Sequence, residues 1–129
     1  MIEAAKKRLL WIEDDPVLKH IVETKFSTTA YDMISVSTGT EAFQYLKDHI
    51  PDLIVLDLLM PGMDGYEFMQ QLRANKEWGA SVPVIILTND KLEKDTKVET
   101  LQAMTPSYLL LKTDTTPEDV LNKINSIFS

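Results

Sequence analysis

The sequence predicts a doubly wound α/β domain, a five-stranded parallel sheet covered by helices on both faces. Three observations lead there. Five short apolar runs recur along 129 residues with helical patterns between them, which is the alternation that builds parallel sheets. Three of those runs are apolar almost throughout, as suits strands buried on both sides. Helix-start signals follow the first, second and last runs.

RLLWIE, from Arg8 to Glu13, is the first expected strand. Asp15 before Pro16 then gives an N-cap with proline at the first helical position, and Leu18, Ile21, Val22 and Phe26 share one face of the helix. DMISV, from Asp32 to Val36, is the second strand. Thr38 with Glu41 three residues later forms a capping-box pattern ahead of a helix whose apolar face is Ala42, Phe43, Leu46 and Ile50. DLIVLD (Asp52 to Asp57) and VPVIILT (Val82 to Thr88) are the third and fourth strands. KLEKDTKVETLQAM offers only Leu92, Val98, Leu101 and Met104 for burial, so this fourth of five expected helices should be the most mobile. YLLLK, from Tyr108 to Lys112, is the fifth strand. Thr116 and Pro117 open the last helix, which carries Val120, Leu121, Ile124, Ile127 and Phe128 at helical period. No repeat, low-complexity tract or linker marks a second domain, so 1–129 reads as a single unit.

Composition narrows the function. A net charge of -7 disfavours direct nucleic-acid binding, which needs a concentrated positive surface. Lys6, Lys7 and Arg8 read as a solvated lead-in to the first strand. No apolar run approaches the ~20 residues that span a bilayer, and the N-terminus lacks a secretion signal. The expected location is the cytoplasm, with no membrane partner. Without cysteine, any metal must take oxygen or imidazole ligands. His20 and His49 stand alone, so oxygen is the better supplied.

In sheets of this kind ligands bind at the carboxyl ends of the strands, where the strand order reverses. The first strand ends in Glu13, Asp14 and Asp15, the third in Asp57, the fourth in Thr88 and the fifth in Lys112. The second ends blandly in Ser35 to Ser37, as expected at a sheet edge. Asp15 is read as the helix cap. Glu13, Asp14 and Asp57 would repel one another unless a cation sat among them, and an oxygen-only cluster suits Mg2+. A carboxylate is ordinarily charged already and needs no general base, so Asp57 could act as a nucleophile. Attack on phosphorus calls for neutralised phosphoryl oxygens, which a metal, the Thr88 hydroxyl and the Lys112 ammonium would supply.

WIEDDP, LIVLDLLMPGMDGYEF, PVIILT and YLLLK, in this order and at these intervals, resemble the receiver domain of bacterial two-component response regulators. The resemblance covers essentially the whole chain. It implies a flavodoxin-like sheet in the order 2-1-3-4-5 with five helices. It implies that Asp57 accepts a phosphoryl group from a phosphohistidine on a sensor histidine kinase or histidine phosphotransfer protein. Asp14 would ligate Mg2+ directly, Glu13 through water, and the Leu59 carbonyl would be a further ligand. Thr88 and Lys112 would bind phosphoryl oxygens. Phosphorylation would change the surface of the last two helices and the strand between them, which would meet a downstream protein target or a second copy in a phosphorylation-dependent homodimer. On this reading the chain is a regulator that catalyses only its own phosphorylation and dephosphorylation.

The chain departs from the family pattern at several positions. Tyr108 lies four residues before Lys112, and Leu109 holds the place where the family has an aromatic, so either a bulge absorbs one residue or the aromatic switch is missing or altered. Thr113 follows the lysine where proline is usual. Asn89 follows Thr88 where a small residue is usual; with apolar Leu59 this leads to the expectation of slow hydrolysis of the phosphorylated state. A haloacid-dehalogenase-type phosphatase would need an aspartate at Leu59, and a flavin module a Ser/Thr/Gly-rich loop where WIEDDP stands. The remaining alternative is a receiver-like interaction module that is not phosphorylated. Because the chain stops after the last helix, no output domain is expected within it.

Overall fold

A computed structural model of the chain describes residues 6–58, 65–88 and 102–129. The strands are β1 (Arg8–Ile12), β2 (Asp32–Val36), β3 (Leu53–Asp57), β4 (Val84–Thr88) and β5 (Tyr108–Leu111). They form one parallel sheet in the order β2-β1-β3-β4-β5, as expected. Four α-helices fall among the described residues: α1 (Pro16–Phe26), α2 (Gly39–Leu46), α3 (Gly65–Ala74) and α4 (Pro117–Phe128). The helix expected over 91–104 lies outside the described residues except for its last three positions.

Side-chain alternation along the strands divides the core into two layers. Leu10, Ile12, Ile54, Leu56, Val84 and Ile86 face α2 and α3, against Ala42, Phe68, Met69 and Leu72. Leu9, Trp11, Leu53, Val55, Ile85 and Leu87 face α1 and α4, against Val22, Phe26, Val120 and Ile124. Every residue of β3 and β4 is buried, which accounts for the unbroken apolar runs.

The helix starts form as their residues require. Asp15 accepts from the amides of Val17 and Leu18. Thr116 and Asp119 complete a reciprocal capping box. At α2 the box is only half made: Thr38 accepts from the Glu41 amide, but Glu41 reaches back to the amide of Ser37. Two expected core residues are exposed. Ile21 is 48% exposed, because α1 buries only the narrow stripe of Val22 and Phe26. Ile50 is 56% exposed, because α2 ends at Leu46 and the next turn leaves the helix.

The fifth strand resolves one open alternative. Its ladder with β4 runs without a bulge, from Ile85 opposite Tyr108 to Thr88 opposite Leu111. Tyr108 therefore packs in the α1/α4 layer, with the Lys123 ammonium 4.9 Å from its ring centre, while Leu109 packs in the α2/α3 layer. The aromatic is on the other face. Lys112 is not the last strand residue but opens a short 3-10 turn, Lys112–Asp114. No peptide bond among the described residues is cis, including that between Lys112 and Thr113.

Candidate functional site

Strand order brings the site together. Ile12 pairs with Leu56 across β1 and β3, so the next residue of each strand direction, Glu13 and Asp57, meet at the carboxyl rim. The sheet reverses its winding between these two strands, which opens a crevice there. Asp57 in turn pairs with Leu87, and Thr88 with Leu111, which carries Thr88 and Lys112 to the same rim. Leu58 continues the ladder by donating its amide to the Leu87 carbonyl at 2.9 Å.

Glu13, Asp57 and Thr88 are buried, at 0%, 2% and 1% exposure, while Asp14 is open to solvent. One carboxylate oxygen from each of Glu13, Asp14 and Asp57 lies within 4.8 Å of the others. The Lys112 Nζ sits 2.7 Å from Asp57 Oδ2 and 3.0 Å from Glu13 Oε1. Burying two carboxylates is costly unless a cation compensates, and here one ammonium serves both.

The electrostatics are strained in one direction. Burial pushes the Glu13 carboxyl up to about 7, and the charge of Asp57 adds to this, against the opposing Asp15 amide and Lys112. That amide donates to Glu13 Oε2 at 3.1 Å and fixes the carboxylate. Burial alone would lower the Lys112 ammonium, but its hydrogen bonds to Asp57 and Glu13 outweigh this and hold it above the ordinary lysine value. Glu13 Oε1 is buried and, despite the nearby ammonium, has no hydrogen-bond partner of good geometry among the described residues. A buried anionic oxygen without a hydrogen bond, in a set of oxygen donors only, fits a hard divalent cation.

A family model described as the response regulator receiver domain matches residues 9–125. The chain belongs to the receiver domain family of two-component response regulators. Among curated relatives, this receiver is 31% identical over 102 residues to the transcriptional regulatory protein PhoP of Escherichia coli, covering 79% of this chain and 44% of PhoP. It is 42% identical over 83 residues to the "Probable transcriptional regulator ycf27" of Porphyridium aerugineum, covering 64% of this chain and 33% of that protein. The receiver thus spans about a third to under a half of the length of these relatives. Among solved structures, the chemotaxis response regulator CheY4 of Vibrio cholerae superposes with a TM-score of 0.82 at 22% identity, over 95% of this chain and 99% of that one, and shows the shared fold. The signal receiver domain of a histidine kinase from Syntrophus aciditrophicus gives 0.79 at 26% identity, over 93% and 88% of the two chains.

Of the sequence-predicted site residues, Glu13, Asp14, Asp57, Thr88 and Lys112 gather at one rim. Leu59 and Asn89 lie outside the described residues, as do all of 59–64. Sequence reasoning missed two contributors. One is the Asp15 amide on Glu13, which no residue type reveals. The other is Gly65, whose amide donates to the Leu58 carbonyl at 3.0 Å, and where an added Cβ would meet Leu58 Cα at 2.8 Å. Its signal was a glycine opening a helix a few residues after Asp57. Among the described residues no helix is long and apolar enough to cross a membrane.

Proposed function

We propose that this receiver, as a single domain over 1–129, takes a phosphoryl group on Asp57 from a phosphohistidine of a partner kinase or phosphotransfer protein. The observation that carries this reading is the meeting of three carboxylates within 4.8 Å, with the Lys112 ammonium 2.7 Å from one of them. An Asp57 carboxylate oxygen attacks phosphorus, the P–N bond breaks, and the departing imidazole keeps the electron pair and takes a proton from solvent. Lys112 and the Thr88 hydroxyl would bind the transferred oxygens, a positive charge and a donor of the kind that stabilises the charge developing in the transition state.

Glu13, Asp14 and Asp57, with the Leu59 carbonyl, are the groups that would hold Mg2+. When bound, the ion supplies charge neutralisation for the carboxylates and the phosphoryl oxygens. The chain's own catalysis is limited to gaining and losing its phosphate. The modified state biases an existing two-state equilibrium through contacts that only it makes. Its output is the surface of β5, the last helix and the segment 91–104, read by a downstream protein or a second copy. Because relatives of greater length are named as transcriptional regulators, an output of that kind belongs to a whole protein of which this receiver is the phosphate-responsive part. The cytoplasm is the compartment where such a kinase and target would meet it.

Incubation with acetyl phosphate and Mg2+, read by intact mass, tests the proposal. One phosphoryl adduct that needs the metal and is lost in Asp57→Asn is the expected result. No adduct under any condition favours the interaction-module alternative.

A further inference from the structure

β5 enters the sheet in a register that its own side chains do not specify. Tyr108, Leu109, Leu110 and Leu111 are all half-buried. Tyr108 and Leu110 belong to one layer of the core and Leu109 to the other. In a strand apolar on both faces, a slip of one residue exchanges two apolar sets, so the hydrophobic pattern holds the register weakly. The strand is four residues long and lies at the sheet edge, paired on one side only among the described residues. Lys112 follows it directly, so a slip would carry the ammonium away from Asp57.

A pin exists at the opposite end of the sheet. Arg73, in the last turn of α3, places its guanidinium between the chain leading into β4 and the chain leading into β5. Nη1 donates to the carbonyls of Gly79 at 2.9 Å and Val82 at 2.7 Å. Nε donates to Met104 at 2.8 Å and Nη2 to Thr105 at 3.2 Å. Two carbonyls from each leader are thereby held on one rigid planar fork. Thr105 has φ 52°, a left-handed conformation that a β-branched residue adopts only when its surroundings impose it. The Ser107 amide, two residues on, donates to the Val84 carbonyl at 2.8 Å and begins the ladder. On the other side, Asn75 Oδ1 accepts from the amides of Glu77, Trp78 and Gly79, which stiffens the first leader.

We propose that Arg73 is a positioning residue for Lys112: it sets the register of β5 on β4 from the amino end of the sheet, so that the lysine emerges beside Asp57. The link to phosphate chemistry rests on the function proposed above; the link to register does not.

Cross-strand amide and α-proton NOEs on the isotope-labelled chain read the register directly. In Arg73→Gln the contacts of Ile86 with Leu109 and of Leu87 with Leu110 should weaken or be joined by a set displaced by one residue, and signals from 108–113 should double or broaden. Contacts between β1 and β3 should stay as they are. Arg73→Lys keeps the charge without the fork and should move the same signals less far, which serves if the glutamine variant does not fold. A loss of stability in urea with the β4/β5 contacts unchanged overturns the proposal, since a mere brace would behave so. For the second arm, uptake from acetyl phosphate should slow several-fold in Arg73→Gln, and Arg73→Gln/Lys112→Met should match Lys112→Met alone. Additive losses overturn the link to Lys112. If the register shifts but the wild-type chain takes no phosphate, the function reading fails and the register proposal stands.

Discussion

Glu13→Gln isolates the energetic cost of the site. The wild-type carboxyl has an ordinary value of 4.5 and is pushed up to about 7 by its burial. Between those values the folded protein holds a proton that the unfolded chain has lost, so wild-type stability falls as pH rises through this window. The difference of about 2.5 pH units, at about 1.36 kcal/mol each, makes the ionised carboxylate a burden of about 3 kcal/mol above pH 7. A neutral glutamine of the same shape carries no such slope. Urea unfolding in EDTA should find the two proteins alike at about pH 4, below the window, and the variant about 3 kcal/mol more stable at about pH 8. Excess Mg2+ at pH 8 should stabilise the wild type more than the variant and narrow the gap, as a ligand that binds the folded state does. Parallel pH curves, or a variant that is the less stable at pH 8, would refute the reasoning. A gain in stability from removing a site residue is the usual mark of a group kept for function.

Lys112→Met should cost about 3 kcal/mol in the same assay without divalent ions, because two buried carboxylates lose their shared cation. Mg2+ should restore much of it by supplying the missing charge. Gly65→Ala should destabilise by about 1–3 kcal/mol, because the new methyl must displace Leu58 beside Asp57, and phosphate uptake by intact mass should slow with it. Exchanging Leu59 or Asn89 for small or polar residues should shorten the lifetime of the phosphorylated state, followed by loss of the adduct with time. An unchanged lifetime ends the expectation of slow hydrolysis.

The five strands were legible because burial on both faces leaves an unbroken apolar signature, and β3 and β4 are buried at every residue. The site was legible for a related reason. A carboxylate or ammonium that ends an apolar run, as Asp57 and Lys112 do, is hard to explain by packing. Periodicity alone misplaced Ile21 and Ile50, since a repeat shows which residues share a helix face but not how wide a stripe the sheet covers. The face occupied by Tyr108 depended on whether β5 carried a bulge, which only its pairing with β4 decides. Arg73 stayed invisible because its partners are main-chain carbonyls, and these carry no residue-type signal.

The central claim is that Asp57, and no neighbouring acid, takes the phosphate. Borohydride reduces an aspartyl phosphate to homoserine and marks the acceptor covalently. After treatment with acetyl phosphate and Mg2+, peptide mapping by mass should find homoserine at position 57. Homoserine at Asp14 or Asp15, or none at all beside an unreacted chain, would contradict the account.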